Sequence, residues 1–196
     1  MIYNHSSKSD KKYHTGKGAQ INPENRFNKL HVGTEFEEGV DEEMGKSSTQ
    51  FYVEHPKTII NKVSSPDVGM QYSLNPYQGC EHGCTYCYAR TSHEYWGWSS
   101  GLDFESKIIV KQNASGLLEK ELSKASWKSC PVFLSGNTDC YQPAEKKFII
   151  TRSLLKVFLR YGNPVGVITK NALVLRDLDL LKALNEERLI QVNLSI

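Results

Sequence analysis

Met70-Gln71-Tyr72-Ser73-Leu74-Asn75-Pro76-Tyr77-Gln78-Gly79-Cys80-Glu81-His82-Gly83-Cys84-Thr85-Tyr86-Cys87 joins a short apolar stretch to a loop crowded with cysteine. Met70 to Leu74 reads as a strand, and the loop after it carries three thiols within eight residues at CxxxCxxC spacing. Thiolates are soft ligands that select zinc, copper(I) or iron–sulfur clusters, and a [4Fe–4S] cube is normally closed by four cysteines. A local set of three leaves one iron open. An open iron can bind a substrate or cofactor directly, so the triad points to a reactive cluster more than to an electron store.

Two other readings of the cysteines compete. Structural zinc would need a fourth ligand from His82, His93, Cys130 or Cys140, and the sequence has no second CxxC-like half. A disulfide framework fits poorly, because the five cysteines are an odd number and no N-terminal apolar segment marks secretion. Glu81 and His82 lie between ligand positions and read as solvated loop residues. A non-catalytic iron–sulfur or zinc binding module stays open as the alternative to an enzyme.

Downstream of the loop, apolar strands alternate with amphipathic helices. Asn113 is placed to cap a helix bearing Leu117, Leu118 and Leu122, and Val132-Phe133-Leu134 follows as a second strand. The next helix runs to about Tyr161 with Phe148, Leu154, Leu155 and Phe158 on its apolar face, and Gly162 can end it. Asn163-Pro164 turns into a third strand, Val165 to Ile168. Leu175, Leu178, Leu181 and Leu184 line another helix before a fourth strand, Ile190 to Ile196. Successive βα units predict an α/β fold with a parallel sheet. In such sheets ligands bind beyond the carboxyl ends of the strands. Four polar segments are predicted to meet there: the cysteine loop, Ser135 to Pro143, Thr169-Lys170-Asn171, and Ser195.

The chain divides near Ser64, where Ser64-Ser65-Pro66-Asp67 marks a turn. Residues 1–63 read as a polar, partly flexible arm, basic early and acidic from Glu35 to Glu43, with Phe51-Tyr52-Val53 and Thr58-Ile59-Ile60 as short strands. Residues 64–196 form the main unit. A formal net charge of +2 gives no electrostatic case for nucleic acid or an anionic membrane. The apolar runs fall far short of the ~20 residues of a membrane span, so the expectation is a cytoplasmic protein with no membrane partner.

The segment from Ser64 through Asn75-Pro76-Tyr77-Gln78-Gly79-Cys80 to Tyr86-Cys87-Tyr88-Ala89-Arg90 resembles the radical S-adenosylmethionine (SAM) enzymes grouped with spore photoproduct lyase as DNA repair photolyases. Gly101-Leu102-Asp103-Phe104-Glu105, Thr138-Asp139, Tyr141-Gln142-Pro143, Thr169-Lys170 and Leu175 to Leu181 are similar to an uncharacterised branch of that group. The resemblance covers roughly residue 20 to the end. It implies a partial (β/α) barrel of radical SAM type, about four βα units long, and a lyase-like enzyme.

The resemblance also implies roles. Cys80, Cys84 and Cys87 would hold a [4Fe–4S] cluster whose open iron chelates SAM, giving methionine and a 5′-deoxyadenosyl radical on one-electron reduction. An electron donor such as a flavodoxin or ferredoxin would supply the electron. Tyr86 would pack near the adenine, an ordinary core aromatic being its other reading. Gly136, Asn137 and Thr138 would meet the SAM amino group, Lys170 its carboxylate and Ser195 its ribose. The substrate is unassigned, with nucleic acid suggested only by the family label. Two departures stand out. Where spore photoproduct lyases carry a hydrogen-donating cysteine this chain has Gly136, while Cys140, four residues later, reads as a small buried thiol. A radical SAM barrel also usually has six βα units, so at ~30 residues each this chain is expected to be a fragment or truncated product, with an unpaired edge at its last strand.

Overall fold

The computed structural model describes residues 14–27, 48–65, 67 and 69–195. It is a mixed α/β structure with parallel and antiparallel strands in two sheets. The strands are β1 (Gln50–Val53), β2 (Ile60–Lys62), β3 (Tyr72–Leu74), β4 (Tyr77–Gln78), β5 (Lys107–Val110), β6 (Val132–Leu134), β7 (Val165–Thr169) and β8 (Ile190–Leu194). The larger sheet has the order β2-β3-β6-β7-β8. Here β3, β6, β7 and β8 run parallel, and β2 joins the edge antiparallel, pairing Ile60 with Leu74. The smaller sheet is β1-β5-β4, of which the sequence signals only Phe51-Tyr52-Val53 as a strand. Its centre is Lys107-Ile108-Ile109-Val110, four residues without alternation, paired in parallel with Gln50–Val53 from far upstream.

The helices are α1 (Leu102–Ser106), α2 (Ala114–Leu122), α3 (Glu145–Phe148), α4 (Ile150–Tyr161) and α5 (Leu178–Glu186), with 3-10 helices over Tyr88–Trp96 and Ala172–Asp177. Packing of α2, α4 and α5 against the larger sheet buries Leu74, Leu118, Leu134, Leu154, Leu155, Phe158, Val167 and Leu184 in one core. Gly162 ends α4 in the left-handed conformation, as its position predicts. Three local expectations need correction. Asn113 stands at the start of α2 but its side chain makes no cap, its amide reaching the Pro56 carbonyl instead. Phe148 belongs to a separate turn, because Ile149 adopts a left-handed conformation and Glu145 accepts the Thr151 amide, so that α4 begins anew. Leu175 and Leu178 are exposed; Val174, Leu181 and Leu184 carry the buried face, because the first turns there are 3-10 and the helical phase shifts.

Of the expected turn at Ser64, Pro66 lies outside the described residues, as do Ile196 and most of the charged arm. The described part of the N-terminal segment is docked: Asn25 is buried and donates to the Glu94 and Trp98 carbonyls. Behind the strand ends, buried Glu145 and Asp177 are paired with Arg176, and Asp177 also with Arg152. Tyr77 of β4 donates to Glu145 and Tyr141 to Asp177. Each buried carboxylate thus has cationic and hydroxyl partners, the condition under which charges are tolerated inside a protein. No helix among the described residues is long and apolar enough to cross a membrane.

Candidate functional site

The loops after β4, β6, β7 and β8 open onto one cleft of about 340 Å³. Its walls include Cys80, Cys84 and Cys87, together with Tyr86, Gly136, Asn137, Thr138, Lys170 and Ser195. All nine residues singled out from the sequence therefore line the same cavity. Its size falls within the range of small-molecule sites.

The cysteine loop is held open by its glycines and pinned from behind. Gly79 and Gly83 both have positive φ, 75° and 64°, which glycine adopts without steric cost. Buried Gln142 spans the first turn: its amide donates to the Gly79 carbonyl at 3.0 Å, and its side-chain oxygen accepts the Glu81 N–H at 3.1 Å. Cys80 sits between those two peptide groups. Burial pushes its thiol up to about 12, a rise only partly offset by the backbone amides of His82 and Asp139 that point at its sulfur. Cys84 and Cys87 are half-buried, and none of the five cysteines is in a disulfide.

The loop after β6 does two jobs. Asn75 accepts the Asn137 and Thr138 amides at 2.8 and 3.3 Å, and the Thr138 hydroxyl donates to the Tyr77 carbonyl at 2.6 Å. Thr138 is accordingly buried, and its hydroxyl is spent on the fold. A Cβ on Gly136 would collide with the Ser73 side chain, so packing against β3 already requires glycine there. The Gly136 carbonyl accepts the Tyr88 hydroxyl at 2.8 Å. Ser135, at φ 72°, is a non-glycine residue held in the left-handed region, where strain tends to gather at functional sites.

Lys170 reaches across the cleft mouth. Its ammonium lies 3.2 Å from Cys84 Sγ and donates to the Tyr86 hydroxyl at 2.8 Å, contacts that hold its pKa above the usual lysine value. Tyr86 is 72% exposed, which overturns the reading of it as a core aromatic and puts it on the rim. Ser195 is exposed at the cleft edge and ties to β7 through its amide and the Thr169 carbonyl.

Asp139, which the sequence marks only within Ser135 to Pro143 and the Thr138-Asp139 motif, joins three of these segments. Its carboxylate accepts the Tyr141 amide, the Thr169 hydroxyl and the Lys170 amide at 2.8, 2.8 and 3.0 Å. His82 Nε2 lies 3.2 Å from the same carboxylate, with both side chains largely buried. Burial would raise the Asp139 carboxyl, but His82 and the three donors hold it below the ordinary value. His82, read from sequence as solvated, thus lines the cavity. Met70, Tyr88 and Ile168 add apolar wall, and nothing in their sequence spacing marks them.

Among the described residues no three or more His, Cys, Asp and Glu side chains converge closely enough to hold one metal ion. A cube bound at three corners takes each thiolate on a different iron and does not need such convergence. The donor set suits a cluster: three thiols line one cleft, two backbone amides point at Cys80, and the neighbouring His82 imidazole is already paired with Asp139.

No family model matches the chain, and no solved structure matches it. It is 35% identical over 141 residues to an uncharacterized protein of Mycobacterium tuberculosis, covering 71% of this chain and 42% of that protein. An uncharacterized protein of Methanocaldococcus jannaschii is 34% identical over 140 residues, covering 71% of this chain and 49% of its own length. A third uncharacterized protein, from Acidianus two-tailed virus, is 26% identical over 129 residues, with 63% of this chain and 42% of that protein covered. The chain spans less than half the length of these curated relatives.

Proposed function

We propose that the chain carries the cluster- and SAM-binding part of a radical SAM enzyme, built on about four βα units of a (β/α) barrel. The supporting observation is the convergence on one cleft of residues chosen from four separate stretches of sequence. Cys80, Cys84 and Cys87 would hold the [4Fe–4S] cluster. When bound and reduced, that group supplies the electron that cleaves SAM to methionine and a 5′-deoxyadenosyl radical.

The chain's own residues position and shield. Gln142 fixes the peptides on either side of Cys80, and the amides of His82 and Asp139 point at its sulfur, where they would help to hold it as a ligand. Lys170 is a movable point charge at the mouth, able to leave the Tyr86 hydroxyl for the SAM carboxylate. The carbonyls of the Gly136-Asn137 turn accept from the SAM amino group, and Ser195 meets the ribose. Tyr86 and Tyr88 cover the opening and limit water. An electron donor of the flavodoxin or ferredoxin kind completes the system, and the substrate is one that yields a hydrogen atom, nucleic acid being the class the resemblance suggests.

Anaerobic reconstitution with iron and sulfide tests the proposal. Cluster absorbance and a reduced-state electron paramagnetic resonance signal that shifts on adding SAM are expected. Retention of zinc with no cluster signal, or a cluster signal indifferent to SAM, refutes it.

A further inference from the structure

Outside the cleft lining, the cysteine loop is contacted by residues from the start of the described chain. Buried Glu105, at the end of α1, accepts the Gly18 and Ala19 amides at 3.0 and 2.9 Å, and the Lys17 ammonium donates to its carbonyl at 2.7 Å. Arg90 pairs with the same carboxylate and donates from Nη2 and Nε to the Cys84 carbonyl at 2.8 and 3.3 Å. Gly18 and Gly83 meet backbone to backbone, so closely that a Cβ on Gly18 would be driven into the Gly83 carbonyl. One carboxylate therefore links the N-terminal segment, through Arg90, to the peptide that carries Cys84.

We propose that residues 17–19, Glu105 and Arg90 form a positioning clamp that fixes Cys84, making the N-terminal segment part of the ligand site. None of these side chains lines the cleft, so the clamp acts through the backbone of the cysteine loop. A charge-assisted pair and two amide bonds to one fully buried carboxylate are the kind of contact whose loss opens a loop locally. The proposal takes Cys84 as a ligand from the function proposed above, but the clamp can be tested without any metal.

Site-resolved alkylation by iodoacetamide of the reduced, metal-free full chain reads it directly, with Cys130 and Cys140 as internal controls. Gly18→Ala and Arg90→Ala should each raise the rate at Cys84 about tenfold or more, and Arg90→Lys, which keeps the charge but loses the forked contact, should fall between. Gly116→Ala, where a Cβ meets open space, should change nothing. No rise at Cys84 overturns the clamp. An equal rise at Cys130 and Cys140 also overturns it, because the segment would then be general scaffold. Cluster content after reconstitution is the separate readout: a parent chain that takes up no cluster refutes the proposed function and leaves the alkylation result standing.

Discussion

Replacing Gln142 by leucine removes both hydrogen bonds that straddle Cys80. The Gly79 carbonyl and the Glu81 amide lose partners at 3.0 and 3.1 Å, and Gln142 itself is fully buried, so water cannot replace the side chain. A buried polar group left unsatisfied costs about 1–3 kcal/mol. The Gly79 contact is buried and takes the upper part of that range. The Glu81 amide is only part-buried and takes less, while leucine recovers some dispersion, giving a net loss of about 2–4 kcal/mol. For a chain of this size that is a fall of about 4–16 °C in melting midpoint. Circular dichroism melts of the metal-free chain measure it, with Gln191→Leu as control, since the Gln191 side chain is exposed, donates to Asn193 at the surface and should cost about 0.5 kcal/mol or less. Reconstituted protein gives a second reading: Gln142→Leu should lose cluster faster to a chelator, because the peptides on both sides of Cys80 are released. A midpoint within about 1 °C of the parent, or an equal fall for Gln191→Leu, would show that Gln142 does not hold the loop.

Three further outcomes are expected. Single Cys80→Ala, Cys84→Ala and Cys87→Ala changes should each abolish a stable cluster while Cys130→Ala and Cys140→Ala retain it, as absorbance per chain will report; full retention in the Cys84 variant counts against the ligand set. Lys170→Ala should leave cluster content intact and weaken SAM binding roughly ten- to hundredfold by equilibrium titration, and equal affinity would place Lys170 outside the site. Burial holds the fully buried His93 imidazole down at about 4, a fall only partly offset by Asp103 and the Lys107 backbone. Between about pH 6.5 and 4 the unfolded chain binds a proton that the native one excludes. The native state therefore loses up to about 3 kcal/mol as pH falls through that window and keeps it above. Urea melts across that range should show the loss in the parent and a flatter profile in His93→Phe.

The strands Val132–Leu134, Val165–Thr169 and Ile190–Leu194 were legible because each is a compact apolar run between turn signals, and Gly162 marked the end of α4 for the same local reason. The β1-β5-β4 sheet was not legible. Lys107–Val110 is too short to show a period, and its parallel partner lies more than fifty residues upstream. The break at Ile149 also escaped notice, since the carboxylate that restarts α4 comes from Glu145, which reads as any exposed glutamate until it is seen buried against Arg176 and Tyr77.

What the sequence determined by itself is the local chemistry: three thiols on one loop, and polar residues placed just after apolar strands, because ligand type and strand periodicity are short-range properties. The tertiary structure alone decided what each of those residues is free to do. The Thr138 hydroxyl is committed to the Tyr77 carbonyl, and Gly136 is glycine because Ser73 packs against it and leaves only its backbone to face a ligand, whereas Asp139, His82, Gln142 and the N-terminal Gly18 emerge as neighbours of the cysteines. Hydrogen-bond partners and close backbone approaches depend on segments brought together from across the chain, and no pattern within a single segment records which partner each polar group will find.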